Sequence, residues 1–366
     1  MNIATGLATG AKASADLAGQ AVKDALDKLG VDRANSVLLF LTEAFASNPE
    51  AAIKAAAKAA STMQIIGCSA PGIFTDEDWV LDGAAVAAMV FTGDTILEAA
   101  THTNHHPELL LTLVAPNAIN ATWLAADTPK FGGVSGDATG QGPFSVWQNG
   151  KGSTQGLCEI LLRHTRGAVS ASHGLRLIST PRRITRCRGY DIQEIAETPA
   201  LQTLQSAWHK SNKQATPVPY HQLLAVYADK ATSIERGEYH PCTIISGNEA
   251  EQSITLAQPL AEGQWLSWAV RDKDSAQLDI VRTASQLKLQ LGKMPDFALF
   301  FSCMGRGPYF YDGLDQDLAL LKTLFPKLPI IGFYGNGEIA PIHGRNILLD
   351  YSAVLGLFTC DESVQT

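Results

Sequence analysis

The sequence predicts an α/β protein with two related halves, layered sheets and flanking helices. Continuous apolar runs such as residues 37–41 and 298–301 are typical of strands that are buried on both faces. Between these runs, apolar residues recur at helical spacing. Each run ends abruptly at a glycine-rich loop, and ligands of parallel-sheet proteins bind where strands end in such loops.

The composition is that of a well-buried globular protein. The chain has 366 residues, of which 46% are hydrophobic and 17% are charged, so we expect two domains or one duplicated domain. A net charge of −8 without any long basic run argues against a nucleic-acid partner. The densest basic stretch alternates with apolar residues and is predicted to be an exposed strand face, with Arg182, Arg183, Arg186 and Arg188.

The six cysteines are widely spaced, and none forms a Cys-x-x-Cys pair. This spread favours free thiols in a reducing compartment. The start of the chain shows no signal peptide, and no apolar run approaches the roughly 18 residues of a membrane helix. We therefore expect a cytoplasmic protein with no membrane contact, no cofactor and no metal.

The first half contains clear element signals. Residues 13–29 have helical apolar spacing and end at Gly30, and a second helix is expected from Asn48-Pro49 to Ser61. A strand at residues 64–66 leads into the loop at residues 67–72. Residues 84–91 and 95–101, joined by Thr92-Gly93-Asp94, are predicted to form a hairpin.

A strand–helix–strand–hairpin pattern is repeated along the chain. Gly67 and Gly72 are five residues apart after one buried strand, as are Gly332 and Gly337 after another. A fainter copy runs from residues 109–114 to the loop at residues 132–137 and a hairpin around Asn149-Gly150. The repetition predicts several α/β layers with internal pseudo-symmetry.

Residues 210–216 are polar and precede Pro217 and Pro219, so we expect a domain boundary there, between residues 1–214 and 215–366. The second domain begins with a β-rich meander up to residue 270. A helix at residues 275–291 then leads to the strand and loop at residues 300–308, and another helix follows from Leu314.

Ionisable side chains in the loops are candidate ligand-binding groups. Arg306 lies between Gly305 and Gly307, which allow close approach of a ligand, and its guanidinium suits a carboxylate. Glu338, which follows Gly335 in the next loop, could accept a ligand amine. The alternative is that Arg306 and Glu338 pair with each other and tie the two loops together.

Three other loop residues have competing interpretations. Asp137 caps a turn or holds an amine, and capping is the commoner role. Cys303 and Cys68, the latter beside Ser69, are expected to line a pocket or to pack in the core. A nucleophilic role would require a base or a cation that lowers the pKa of the thiol.

The loops also resemble a known family. FSCMGRG at residues 301–307 with GFYGNGE at residues 332–338 resembles the C-terminal half of FIST-domain proteins, while GCSAPG at 67–72 and GGVSGD at 132–137 resemble the N-terminal half. The resemblance covers nearly the whole chain. It implies a prokaryotic cytoplasmic sensory module that binds small ligands such as amino acids, and it implies no settled catalytic activity.

The sequence therefore predicts a cytosolic sensory protein that binds an amino acid or a small carboxylate between its glycine-rich loops and passes the signal to a separate protein. One alternative is a cysteine-dependent acyl transferase or amide hydrolase, with Cys303 or Cys68 as nucleophile and glycine amides as oxyanion donors. The other is an interaction module without a ligand.

Overall fold

The computed structural model describes residues 2–100, 108–137, 139–152, 156–212, 217–237 and 239–360, and it contains helices and mixed β-sheets, as the α/β prediction requires. One compact unit is built from the chain up to Ser172 and again from Asp279 onward, and a second unit is His173–Leu278. The boundary expected between residues 214 and 215 lies outside the described residues and stays a prediction.

The first unit contains three copies of one arrangement of strands. The first copy comprises β1 (Ile3–Gly10), α1 (Ala15–Leu29), β2 (Ser36–Thr42), α2 (Glu50–Ala60), β3 (Ile65–Ala70), β4 (Gly72–Thr75), β5 (Trp79–Leu81) and β6 (Ala84–Phe91). The second comprises β7 (Ile96–Ala99), β8 (Leu110–Val114), α3 (Ala121–Leu124), β9 (Lys130–Val134), β10 (Val146–Gln148), β11 (Lys151–Gly152) and β12 (Leu157–Arg163). The third copy begins with β13 (Thr165–Ser172).

The second unit interrupts the third copy and contains a closed barrel. Its elements are β14 (Leu175–Leu177), β15 (Arg182–Arg188), β16 (Asp191–Ile195), β17 (Thr198–Pro199), α4 (Ala200–Ser211), β18 (Leu223–Ala228), α5 (Ala231–Glu235), β19 (His240–Asn248), β20 (Ser253–Leu256) and β21 (Trp265–Arg271). Six strands in the order β21-β15-β16-β20-β19-β18 form a closed barrel, because β18 also pairs with β21.

The third copy resumes after the barrel with α6 (Lys273–Leu291), β22 (Phe297–Cys303), α7 (Gln316–Leu324), β23 (Ile330–Gly335), β24 (Glu338–Ile342), β25 (Arg345–Leu349) and β26 (Ala353–Cys360). The helix expected from Leu314 begins at Gln316, because Asp315 accepts a hydrogen bond from the amide of Leu318 and so caps the first turn.

The three copies exchange hairpins. The sheet orders are β1-β6-β2-β3-β10-β11, β7-β12-β8-β9-β24-β25 and β13-β26-β22-β23-β4-β5, and each sheet contains one parallel pair in its centre. In each sheet the last two strands come from a different copy. The repeat inferred from the sequence is therefore present three times, and each copy completes the sheet of another.

The predicted hairpin of β6 and β7 is wrong. β6 pairs with β1 on one side and with β2 on the other, so both of its edges are occupied. β7 instead pairs with β12 in the next sheet. The Thr92-Gly93-Asp94 turn thus connects the last strand of the first copy to the first strand of the second copy. The hairpin expected around Asn149-Gly150 is confirmed as β10 and β11.

One apolar core lies where the inner faces of the three sheets meet. It contains a cluster of phenylalanines, with ring centroids of Phe40 and Phe333 5.0 Å apart and those of Phe301 and Phe333 5.2 Å apart. Outer faces are covered by helices: α1 and α2 pack on the first sheet, while α6 and α7 pack on the third. No helix in the described part of the chain is long and apolar enough to cross a membrane.

A glycine occupies the same place in each central parallel strand: Gly67, Gly132 and Gly332. A Cβ at these positions would lie 1.7, 1.9 and 1.6 Å from the carbonyl oxygen of the residue opposite in the neighbouring parallel strand. The close approach excludes any side chain. Each of these glycines is the third residue of its strand, so the close pairing of the central strands is repeated in all three copies.

Candidate functional site

The three glycine-rich loops meet at the carboxyl ends of the central strands. The hydroxyl of Ser135 donates to the carbonyl oxygen of Ser69 at 2.6 Å, which ties the second loop to the end of β3. The loop predicted at residues 67–72 is shorter than expected, because residues 67–70 belong to β3 and Gly72 begins β4. Gly136 packs so closely against the side chain of Asn336 that a Cβ would lie 2.5 Å from its oxygen. Residues from the N-terminal and C-terminal resemblance motifs are therefore brought together, as the sequence predicts.

Arg306 is a buried structural residue in this arrangement. Its side chain is 1% exposed and forms an ion pair with Asp317, at 2.7 Å between Nε and Oδ2. The same guanidinium donates to the carbonyl oxygen of Ser172 at 2.6 Å and to its hydroxyl at 2.9 Å. Arg306 thus forms its ion pair with Asp317 and not with Glu338, so the alternative interpretation of an Arg306–Glu338 pair is wrong.

A polar network surrounds this ion pair. Tyr311 donates to Asp317 at 2.8 Å, and the hydroxyl of Tyr334 donates to Asp315. Burial, with a further contribution from the neighbouring Asp317 carboxylate, raises the pKa of Asp315 to about 6. Sequence reasoning missed Asp315 and Asp317, although their position at the start of a helix that follows the Arg306 loop was a usable signal.

Glu338 is the unusual member of the site. It is 0% exposed, and within the described part of the chain neither of its carboxylate oxygens has a hydrogen-bond partner. Burial, reinforced by the negative charge of Asp350, raises the pKa of Glu338 well above its usual range, while Arg306 opposes the shift. Burial and the Asp350 charge both favour the protonated form of this carboxyl group.

The three-copy arrangement shows how exceptional Glu338 is. It is paired with Gly133, the residue after Gly132 in β9. In the other two sheets the corresponding pairs are Val146 with Cys68 and Ile73 with Phe333. Val146 and Ile73 belong to the central apolar core. One copy thus has a carboxyl group where the other two have aliphatic side chains.

Cys303 lies beside Glu338 and is 8% exposed. Burial, followed by the nearby Glu338 carboxyl, raises the pKa of the Cys303 thiol to about 12, although backbone amides of Gly305 and Tyr351 donate hydrogen bonds that act in the opposite direction. Cys68 is 0% exposed, and burial raises the pKa of its thiol well above the usual value. Both thiols are buried, and both pKa shifts favour the protonated thiol.

The remaining predicted residues support the loops. Asp137 accepts hydrogen bonds from the hydroxyl of Thr139 and from the amides of Gly140 and Gly142; although desolvation acts in the opposite direction, these bonds lower the pKa of the Asp137 carboxyl. Asp137 is therefore a loop cap, as its more common role predicts. Gly307 and Gly335 pack so closely that a Cβ would lie 2.9 Å from Tyr334 and 2.5 Å from the carbonyl oxygen of Val134.

A buried carboxyl group at Glu338, a buried thiol at Cys303 and the exposed amide of Asn336 all lie close to strand ends. Among the residues that the structure describes, no group of three or more His, Cys, Asp or Glu side chains is placed to hold a metal ion.

Comparison with known proteins identifies the two parts of the chain. Residues 35–198 match the FIST N domain, and residues 200–341 match the FIST C domain. Uncharacterized proteins of Mycobacterium bovis and of Mycobacterium tuberculosis are each 27% identical over 236 residues, which is 64% of this chain. Another uncharacterized Mycobacterium tuberculosis protein is 24% identical over 233 residues.

The chain spans 61% of the length of these curated relatives. The two domain matches follow each other directly, and they contain the four loop motifs that carry the resemblance. The chain belongs to the FIST family of sensory-domain proteins, with a FIST N domain followed by a FIST C domain.

Proposed function

We propose that this protein is a cytoplasmic sensory protein that binds a small metabolite with an amine, of the amino-acid class, at the strand ends around Glu338 and Cys303. The observation that carries the proposal is the buried Glu338 carboxyl group, which has no hydrogen-bond partner among the residues that the structure describes. Burying such a group costs about 1–3 kcal/mol or more unless a partner is supplied. A ligand that donates to Glu338 would provide that partner.

The ligand chemistry follows from the groups that remain free to act. Arg306 is engaged with Asp317 and Ser172, so it supports the proposed site as a positioning residue. A ligand ammonium would pair with the ionised form of Glu338. The exposed Asn336, two residues before Glu338, offers an amide donor to the carboxylate of the same ligand. Cys303, Ser69, Gly305 and Gly335 would line the space around it.

Such binding would be coupled to protonation. The neutral Glu338 carboxyl must lose its proton before it can pair with an ammonium group, so the affinity should rise with pH below the raised pKa of Glu338. A ligand held by its own carboxylate would instead need the protonated Glu338 as donor, and its affinity would fall with pH. The sign of the pH dependence therefore separates the two ligand orientations.

The test is thermal unfolding of the purified protein against the amino acids and small carboxylates at several pH values. A ligand at 100 times its dissociation constant stabilises by about 2.7 kcal/mol, which raises the midpoint measurably. We expect a selective shift that is lost in Glu338→Gln and retained in the exposed Glu50→Gln control. No shift with any compound, or an equal shift in Glu338→Gln, would contradict the proposal.

The cysteine-dependent enzyme is less well supported. A thiol with a pKa of about 12 is ionised in only about one molecule in 10⁵ at pH 7, and the thiolate is the nucleophile. Output to a separate signalling protein remains part of the proposal, on the strength of the family. A stable complex that needs no small ligand would favour an interaction module.

A further inference from the structure

The second unit contains a pocket of about 400 Å³ that none of the loop motifs reaches. It lies between α4 and the strands β15, β16 and β21. Its lining includes two cationic side chains, Arg182 and Lys210, and an apolar part, called its floor below, with Ile178, Ile195, Leu266 and Trp268. A pocket of this size suits a small metabolite.

The helix α4 presents a regular stripe to this pocket. Gln202, Thr203, Ser206, Ala207 and Lys210 recur at helical spacing, so they form one face of the helix. The neighbouring residues Leu201, Leu204 and Trp208 are buried in the apolar core of the unit, and Ala207 borders both the core and the pocket. Apart from Ala207, the residues of α4 that line the pocket are therefore polar or charged.

The floor of the pocket is held rigidly. The indole nitrogen of Trp268 donates to the hydroxyl of Thr203 at 3.0 Å, and its backbone amide donates to the hydroxyl of Ser179 at 2.9 Å. Thr203 also donates to the carbonyl oxygen of Ala200 at 2.7 Å. These bonds fix an aromatic surface beside the cationic side chains before any ligand arrives.

The charge of the pocket is entirely positive. Arg182 and Lys210 line it, no acidic residue does, and within the described ranges neither cation forms an ion pair. Other arginines of β15 are engaged, since Arg186 pairs with Glu194 at 2.8 Å and Arg183 lies over the ring of Trp265. In a chain with a net charge of −8, two cations that form no ion pair with any described residue, set at an apolar floor, select for an anion.

We propose that this pocket binds a small organic anion, in which a carboxylate or phosphate head is held by Arg182 and Lys210 and an apolar body lies against Trp268 and Leu266. The site goes beyond the proposed function: it belongs to the other unit, uses none of the loop residues and stands whether or not Glu338 binds a ligand.

The test is isothermal titration of the full chain with hexanoate, phenyl phosphate, inorganic phosphate and hexan-1-ol. We expect hexanoate or phenyl phosphate to bind, with affinity that falls as salt is raised, and the tighter of the two assigns the head group. Inorganic phosphate, which lacks the body, and hexan-1-ol, which lacks the charge, should each bind at least tenfold more weakly.

The variants are Arg182→Gln and Lys210→Met, both at exposed positions, with Arg188→Gln on the same strand as the matched control. Each charge variant should weaken organic-anion binding at least tenfold, and the control should not. Ser206→Trp keeps both cations but fills the pocket, and should also abolish binding. Equal binding of hexan-1-ol, full affinity in both charge variants, or no binding by either organic anion would overturn the proposal.

Discussion

The guanidinium of Arg306 forms a two-bond ion pair with the carboxylate of Asp317, with Nε–Oδ2 at 2.7 Å and Nη2–Oδ1 at 3.3 Å. Both side chains are 1% exposed. The pair joins the loop after β22 to the first turn of α7, and through Ser172 it also joins the end of β13. Arg306 therefore holds three segments of the first unit together.

Removing either partner of this pair should be strongly destabilising. Arg306→Ala leaves a buried carboxylate without its cation, and we expect a loss of about 3–5 kcal/mol in the free energy of unfolding. The control is Arg345→Ala, at an exposed position in β25, which should change stability by less than about 0.5 kcal/mol. Urea unfolding of both variants measures the difference.

A different result would reassign Arg306. If Arg306→Ala unfolded at the same urea concentration as the original protein but no longer responded to a ligand, the guanidinium would be a ligand clamp. Asp317→Asn should resemble Arg306→Ala, and the double variant should cost less than the sum of the single variants, because the two side chains share one interaction.

Asp315 should make stability depend on pH in a defined window. Its pKa in the folded protein is raised to about 6 by burial, whereas the unfolded value is close to 3.9. The folded state therefore binds more protons between these values, so this contribution is complete below about pH 4 and is lost as pH rises through about 6. The contribution is about 3 kcal/mol.

Asp315→Asn isolates that contribution. Asparagine still caps α7 through the amide of Leu318 and still accepts from Tyr334, but it does not titrate. The fall in unfolding free energy between pH 4 and pH 7 should therefore be smaller in Asp315→Asn than in the original protein. The exposed Asp32→Asn should keep the original slope. Identical slopes in all three proteins would show that Asp315 titrates normally.

Cys303 should be a slow nucleophile. With a pKa of about 12, its thiolate fraction is about a thousandfold below that of an ordinary cysteine, and only 8% of the residue is exposed. Iodoacetamide labelling followed by peptide mass spectrometry should show a rate at least a hundredfold below that of glutathione at pH 7.5. The rate should increase about tenfold per pH unit.

The neighbouring carboxyl provides the matched variant for that experiment. Glu338→Gln removes a charge that raises the pKa of Cys303, so labelling at high pH should become faster. Labelling of Cys303 as fast as glutathione at pH 7.5 would instead indicate an activated thiol and would revive the cysteine-dependent enzyme.

Gly332 should tolerate no side chain. A Cβ would lie 1.6 Å from the carbonyl oxygen of Phe300, inside the central strand pair, so Gly332→Ala must separate β22 from β23. We expect a loss of at least about 3 kcal/mol or failure to fold. Gly19→Ala in α1 meets nothing within 4 Å and should stabilise by up to about 1 kcal/mol. Thermal midpoints of the two variants should move in opposite directions, and equal stability would contradict the role of Gly332.

Much of the fold was accessible to sequence reasoning because its signals are local. The expected helices at residues 13–29 and 48–61 correspond to α1 and α2, and the predicted cap at Gly30 has a left-handed φ of 68°. The exposed arginine face of β15 is also confirmed. Apolar spacing and cap residues act within a few positions of one another, so these elements need no information from distant parts of the chain.

The errors concern contacts between distant segments. The β6–β7 hairpin satisfies every local turn rule, yet β6 has its edges filled by strands from the start of the chain and from β2. Likewise, Arg306 and Glu338 both lie near strand ends, but the guanidinium of Arg306 pairs with Asp317 of α7 instead. Charged side chains on neighbouring loops do not necessarily form an ion pair, because the pair also requires suitable hydrogen-bond geometry.

The sequence by itself determined most helices and strands and the repeated glycine motifs, because each depends on residue order within one short stretch. The four motifs together also indicated the FIST family. Only the tertiary structure decided that the copies exchange hairpins, that β18 and β21 close a barrel, and that Glu338 is buried with no hydrogen-bond partner in the described part of the chain. Those outcomes depend on which distant segments compete for the same strand edge or the same charged side chain. Once a strand edge or a charged side chain is buried against one partner, it is no longer accessible to another.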